Sequence, residues 1–389
     1  MNTSIPYARL SSFYFIYFAA LGVFVPYWTV YLADVKGFSA LQIGEIMALF
    51  MGTKVLAPLV WGWLVDHHGQ RLRWIQLASF LTILCFALVY QATSFLDYLL
   101  LVAGFGFFWN APLPQFEALT LNHLGLHVKR YSAIRLWGSI GFILAVISLP
   151  LLINRYGLTV VLHVQLLLFI AIFLSTWLVS DKTPVAAPHL QAKVSLTDIL
   201  KHPSISLWLA ACVLQQASHG AYYNFLSLYL ADVGYNAWLI SSLWALGVLA
   251  EVLLFLLMSP LMHKFGAERL FVLALGLTAL RWLVLGEFVQ TLPLLILAQL
   301  LHAATYGLFH ASAIHIVHHI FPSALQGRGQ ALYSGVSYGL GGALGSLISG
   351  YTWYQFGAAQ SFYVSSILVT LGLVFSLYAM RGVQRLYVA

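Results

Sequence analysis

"YLADVKG", residues 31–37, returns as "YLADVGY" at residues 229–235. Each copy closes the first apolar run of one half of the chain, and Gly22 and Gly220 keep the matching separation of 198 residues. The loops that come next also correspond. "GWLVDHHGQRLR" at 62–73 aligns with "SPLMHKFGAERL" at 259–270, bringing Gly69 onto Gly266 after a one-residue slip. One seven-residue near-match arises by chance in so biased a sequence, but four features in register do not arise so readily. A parallel duplication of six helices predicts two bundles related by an axis along the membrane normal, with a cavity where they meet.

Composition sets the solvent. Of 389 residues, 61% are hydrophobic and only 7% charged, with a mean hydropathy of +0.88. A soluble protein keeps roughly a quarter of its residues charged, so most of this chain faces lipid. At roughly 20 residues per span the length accommodates about twelve helices. A β-barrel would show short alternating segments instead. The expected fold is an all-α polytopic membrane protein, with twelve transmembrane helices in two six-helix bundles. Apolar runs fall near 10–33, 40–65, 74–93, 96–121, 132–153, 158–179, 204–231, 237–262, 270–289, 293–318, 328–350 and 359–380.

The net charge of +7 is distributed by side rather than gathered for a nucleic-acid partner. One set of loops and termini receives Arg9, Arg71, Arg73, Lys129, Arg130, Lys182, Lys193, Lys201, Lys264, Arg269, Arg328, Arg381 and Arg385, whereas the other receives Lys36 and Arg155. That asymmetry predicts both termini in the cytoplasm and a bacterial-type inner, or plasma, membrane location. Arg9 precedes a long span with no small-residue cleavage site at signal-peptide distance, which reads as a retained first helix. The connection "SDKTPVAAPHLQAKVSLTDILKHPS" at 180–204 divides the chain into a bundle at 1–180, a cytoplasmic linker at 181–203 and a bundle at 204–389. Cys85 and Cys212 lie in apolar runs and read as small hydrophobes, and no metal ligand set is expected.

Charge inside the spans points to function. Glu117 and Arg135 interrupt the fourth and fifth runs, and residue 126 lies midway between them. On antiparallel neighbours they reach similar depth, roughly 7 Å inside each helix if the turn uses half of the intervening residues. A lone charge there is expensive, so a pair facing water is expected. Such a pair either fixes two helices or offers donors and acceptors to a polar solute. Lys54, in the second run, lies too far from either interface to snorkel. Glu251 in the eighth run is the expected proton carrier, because a carboxyl shielded from water favours its protonated form. Arg281 in the ninth run is either its cation or a separate anchor. His302, Tyr306 and His310 share one helix face. Lys54, Arg135 and Arg281 against Glu117 and Glu251 leave a slight cationic excess if all five face one cavity, which favours a carboxylate-bearing substrate. Gln215, Gln216, His219 and Asn224 add polar groups on the seventh run.

Gly62, Leu64, Asp66, Gly69 and Arg71 match, position by position, the G-x-L-x-D-x-x-G-x-R loop of the major facilitator superfamily, which the chain resembles. The resemblance implies a conformational switch in which the Asp and Arg belong to a charge network broken and remade during transport. A plain turn carrying positive-inside residues is the alternative. The second copy has His263 and Glu268 where the first has Asp66 and Arg71, so the full network is expected in the first copy alone. Glu117, Arg135, Gly138, Gly141 and Phe142 resemble the helix-four and helix-five pattern of the oligosaccharide–proton symporters typified by lactose permease. There the Glu and Arg grip the sugar and the last aromatic stacks on its ring. Phe in place of Trp at 142 puts galactoside specificity in doubt. Thr305 stands where that pattern has a proton-releasing Glu three residues after the helix-ten His, which moves the expected carrier to Glu251, relayed through His302. "LLHAATYGLFHASAIHIVHHIFP" at 300–322, "GVLAEVLLF" at 247–255 and "ALYSGVSYGLGGALGSLISG" at 331–350 resemble the phenylpropionate permease branch of the superfamily.

The combined expectation is a proton-coupled importer of a small organic solute, an aromatic carboxylate such as 3-phenylpropionate, working by alternating access. Glu117, Arg135, Phe142, Lys54, His302 and Tyr306 would bind substrate. Glu251, His302 and Arg281 would couple the proton, and Gly62, Asp66, Gly69 and Arg71 would form the switch loop. The proton gradient replaces any cofactor; the partners are solute, protons and lipid, without nucleic acid, and a monomer is expected. A sugar or nucleoside symporter is the alternative, followed by a drug antiporter or a proton-independent facilitator. The histidines of "HIVHH" lack the Cys or paired carboxylates that a membrane enzyme would need.

Overall fold

The computed structural model describes residues 5–181, 196–322 and 325–386. Lys182, Lys193 and most of the linker expected at 181–203 lie outside the described residues, as does the side chain of Arg385. Among the described residues the chain is helical and contains no strand. Its passes are α1 (Tyr7–Val35), α2 (Ala40–His68), α3 (Arg71–Gln91), α4 (Phe95–Trp109, resuming at Pro112–Leu124), α5 (Tyr131–Tyr156), α6 (Val160–Thr176), α7 (Pro203–Ser218, resuming at Gly220–Asp232), α8 (Ala237–Phe265), α9 (Ala267–Glu287), α10 (Leu292–Ile320), α11 (Gln326–Ser334, Gly335–Gly341 and Gly342–Phe356) and α12 (Ala358–Leu386). Among the described residues, eight segments are long and apolar enough to cross a membrane; one of them, Phe95–Tyr156, contains both α4 and α5. α6 is shorter, and α7 and α11 are interrupted. The protein is a multi-pass membrane protein, with twelve helical passes among the described residues.

Local chemistry explains the boundaries. The Ser39 side chain caps α2 in a reciprocal box with Gln42, and Asn236 Oδ1 accepts the Leu239 N–H at the start of α8. Both helices run for 29 residues. Both stop at a glycine in the left-handed region, Gly69 at φ +68° and Gly266 at φ +79°, where a side chain would be strained. α4 breaks before Pro112, whose ring carries no N–H to continue the ladder. The Tyr17 hydroxyl donates to the Trp109 carbonyl at that break, 3.1 Å away.

The chain forms two compact units, Met1–Ala187 with Tyr235–Ala245, and Pro188–Gly234 with Leu246–Ala389. In the first, α1 lies along α5 and α6, and α2 along α4. Glycine permits the close approach of α1 and α5: a Cβ on Gly22 would lie 3.1 Å from Phe142 Cα, and one on Gly141 would overlap the main chain of Phe15. In the second, α7 lies along α11 and α12. There a Cβ on Gly220 would overlap Gly345, and one on Gly345 would overlap Ala217. The duplicated halves thus use one device, small residues where two membrane helices touch backbone to backbone.

Candidate functional site

Among the described residues, each unit brings charged side chains of its spans together. In the first unit, Glu117 sits on the second segment of α4, beyond the Pro112 break, and Arg135 on the second turn of α5. The turn joining these helices, Gly125–Arg130, is tight, so the two charges meet: Arg135 Nε lies 3.9 Å from Glu117 Oε1. The Tyr131 hydroxyl donates to the same oxygen at 3.1 Å. Their side chains are 32% and 36% exposed, so this pair is partly open rather than sealed. The guanidinium lies 3.8 Å from the ring centroid of Phe18 and 5.8 Å from that of Tyr14, a cation–π arrangement that orients its plane. A Cβ on Gly138 would lie 2.8 Å from both Arg135 Nη1 and Phe18 Cδ2. The stack therefore depends on glycine at 138.

Phe142 is buried, with its main chain against Gly22. The rings over Arg135 belong to Phe18 and Tyr14 instead. Lys54, on α2, places its ammonium 5.5 Å from the Phe50 ring, and among the described residues no carboxylate pairs with it. The next residue back, Thr53, accepts from Asn110 Nδ2 at 2.9 Å, tying α2 to the α4 break. Asp66, in the last turn of α2, is exposed and forms no ion pair with Arg71, the first residue of α3, among the described residues. The loop is instead held by Arg73 Nη1 donating to Gln70 Oε1 at 2.7 Å and by the Leu72 N–H donating to Asp181 Oδ2 at 3.1 Å. Gly62 faces Gln115 Nε2, which a Cβ would approach to 3.7 Å.

In the second unit, α8, α9 and α10 bring Glu251, Arg281 and His302 together. His302 Nε2 lies 3.8 Å from Glu251 Oε2, and His302 Nδ1 lies 3.2 Å from Arg281 Nη1. A guanidinium has donors only, so Nδ1 must accept and the neutral ring carries its proton on Nε2, toward Glu251. Two glycines allow the approach: a Cβ on Gly247 would lie 3.4 Å from His302, and one on Gly307 3.1 Å from Glu251 Cγ. Arg281 is fully buried. It donates from Nε to the Ala298 carbonyl at 2.6 Å and from Nη1 to Thr305 Oγ1 at 2.9 Å, with the Tyr222 ring 4.2 Å from its carbon. Tyr306 stacks on the other side of His302, centroids 5.6 Å apart and planes 11° from parallel. His302 caps, and Tyr306 lies within, the π-helical turn Ala303–Leu308, a distortion often associated with functional sites. Gln215 Nε2 donates to the Thr305 carbonyl inside that turn at 2.8 Å and to Thr278 Oγ1 at 2.9 Å. His219 is buried, its Nδ1 donating to the Gln215 carbonyl at 2.8 Å, beside the break in α7.

Sequence reasoning missed several partners. Phe18 lies one turn beyond Tyr14 on α1, and that i, i+4 spacing was the available signal. Tyr131 stands at the same spacing before Arg135. Thr305 was read as a lost carboxylate, yet its hydroxyl is what Arg281 grips. Gln299, which accepts from the Tyr222 hydroxyl at 2.9 Å, left no signal in one dimension.

The sequence matches the MFS_1 like family over residues 7–364. The chain belongs to that family. It is 29% identical over 366 residues to the probable 3-phenylpropionic acid transporter of Escherichia coli (strain K12), covering 91% of this chain and 93% of that one. It is 28% identical over 374 residues to the maltose permease of Geobacillus stearothermophilus, covering 95% and 93%. The crystal structure of the nucleoside transporter NupG superposes with a TM-score of 0.79 at 18% identity, covering 98% of this chain and 99% of that one, a likeness of fold. The family and these relatives are transporters, and this member is a secondary transporter, not an enzyme.

Proposed function

We propose that this transporter imports a small organic anion together with a proton by alternating access, with an aromatic carboxylate such as 3-phenylpropionate as the favoured substrate. The observation that carries the coupling is the Glu251–His302–Arg281 row, in which a carboxyl faces a neutral imidazole whose other nitrogen is held by a fixed cation. Glu251 takes the proton; Arg281 keeps His302 in the tautomer that points at Glu251, and His302 couples to the carrier by turning its Nε2–H toward the carboxylate when the proton has left. Glu117, Arg135 and the rings over Arg135 receive the solute. Lys54 meets its carboxylate, since it is a cation without a paired carboxylate among the described residues. Similarity to the probable 3-phenylpropionic acid transporter supports the aryl acid. Phe142 and Tyr306 add aromatic surface, and the Gly62–Asp66–Gly69–Arg71 loop serves as the switch. In this reading the proton gradient is the driving force, no cofactor takes part, and the working unit is a monomer in a bacterial-type plasma membrane with both termini cytoplasmic.

A second reading, symport of a sugar or nucleoside, is favoured by the likeness to the maltose permease and by the partly open Glu117–Arg135 pair. Proteoliposomes with an imposed inward proton gradient separate the two. Labelled 3-phenylpropionate should accumulate, and dissipating the gradient should abolish the accumulation; accumulation of maltose or uridine instead would favour the second reading. Glu251→Gln should retain exchange of labelled for unlabelled substrate and lose uphill uptake. Proton-driven accumulation at the wild-type level in that variant would reject Glu251 as carrier.

A further inference from the structure

Two turns along α10 from His302 lies a second histidine that the proposed mechanism leaves unused. His310 is half-buried. Its Nδ1 lies 2.8 Å from the hydroxyl of Tyr338 and 3.3 Å from that of Tyr333, both on α11. The two hydroxyls are themselves 3.5 Å apart. On its own helix, Tyr306 stands between the histidines, stacked on His302 at 5.6 Å and on His310 at 6.3 Å, with interplanar angles of 11° and 15°. The titratable groups facing His310 include Tyr306 from α10 and Tyr333 and Tyr338 from α11.

The two histidines differ in one chemical respect. At His302 the Nδ1 partner is a guanidinium, which can only donate. A second proton on that ring would set N–H against N–H, so His302 keeps the Arg281 contact in one protonation state. At His310 the Nδ1 partner is a hydroxyl, which donates or accepts by rotating about its C–O bond. When the ring is neutral, Tyr338 O–H donates to Nδ1 and the ring proton sits on Nε2. When a second proton binds at Nδ1, the hydroxyl turns, Nδ1–H donates to Tyr338 Oη, and no hydrogen bond is lost. His310 can therefore change charge in place.

We propose that His310, with Tyr338 as its positioning residue, is the proton-exchange station between solvent and the Glu251–His302 pair. The proton bound at Nδ1 on one side of the cycle is the proton that leaves Glu251 on the other. It moves as H⁺, with no bond to substrate made or broken. The station rests on the proton-coupled reading above. It goes beyond that reading in placing the exchange step on a residue outside the carboxyl–imidazole–guanidinium row.

The test uses the full chain in proteoliposomes, with labelled 3-phenylpropionate as the probe and a pH electrode recording substrate-induced proton movement. Equilibrium exchange needs no net proton transfer, so in His310→Gln it should stay within about two-fold of wild type. Proton-coupled net uptake should fall by about a hundred-fold, the scale set by losing a positioned acid–base group. Tyr338→Phe keeps the ring and removes the hydroxyl, so it should preserve exchange and displace the pH profile of net uptake. Wild-type rate and pH profile in both variants would overturn the station, and so would loss of exchange in His310→Gln, which would assign His310 to solute binding or packing. If the wild-type protein exchanged 3-phenylpropionate without any proton movement, the coupled reading itself would fail, an outcome distinct from a coupled wild type with coupled variants.

Discussion

Arg135 is held by what lies beneath it. The Phe18 ring, 3.8 Å from the guanidinium, sets the plane in which its donors can fork toward a carboxylate, and Gly138 leaves the space. Gly138→Val is expected to push the guanidinium off the ring and lower uptake by at least about ten-fold, equivalent to about 1.4 kcal/mol of binding or transition-state free energy. Size-exclusion behaviour should remain unchanged, since the added methyls face side chains rather than backbone. Uptake at the wild-type rate would show that the stack has no role. Lys54 makes a different prediction. Lys54→Gln should weaken transport of the aryl carboxylate more than transport of its neutral amide, compared by competition in the same vesicles; equal loss for both would remove Lys54 from direct contact. The sequence disclosed these charges because charge is conspicuous in a lipid-facing chain. It concealed Phe18, Tyr131, Thr305 and Gln299 because aromatic, hydroxyl and amide residues are ordinary there, and their partners lie on other helices whose rotation one dimension does not contain.

The helices themselves were largely legible, since twenty apolar residues and a turn leave few alternatives. Their interruptions were not. Pro112 and Pro114 mark the break in α4, but no proline accompanies the break at His219 in α7 or the π-helical turns in α10 and α11. Those distortions are set by tertiary contacts, as when Gln215 takes up the Thr305 carbonyl inside the α10 turn. Close helix contacts give an element-level prediction with an internal control. Gly220→Ala forces a Cβ into the main chain of Gly345, whereas Gly276→Ala, on α9, meets nothing within 4 Å. In detergent, Gly220→Ala should lower the thermal midpoint and reduce the yield of folded protein. Gly276→Ala should hold or raise it, through a gain of up to about 1 kcal/mol in stability from improved helix propensity. A destabilised Gly276→Ala alongside an unaffected Gly220→Ala would contradict the backbone-contact account of α7 and α11.

At the scale of the molecule, the basic residues predict which face is cytoplasmic. Leu126 lies fully exposed in the turn between α4 and α5, beside Lys129 and Arg130, and Tyr156 is 59% exposed at the opposite end of α5. With Cys85 and Cys212 replaced by serine, Leu126→Cys should react with an impermeant maleimide in inverted vesicles and be protected in intact spheroplasts. Tyr156→Cys should show the opposite pattern, and reversed labelling would invert the assigned orientation. The duplication that organises both halves has a further consequence. The separation of 197 residues that carries Gly69 onto Gly266, and the whole of α2 onto α8, also carries Lys54 onto Glu251. Matching positions of the two repeats thus hold an ammonium and a carboxyl. Under the proposed mechanism, that one difference gives twin scaffolds unlike cargoes: an anion for the first, a hydrogen ion for its sibling.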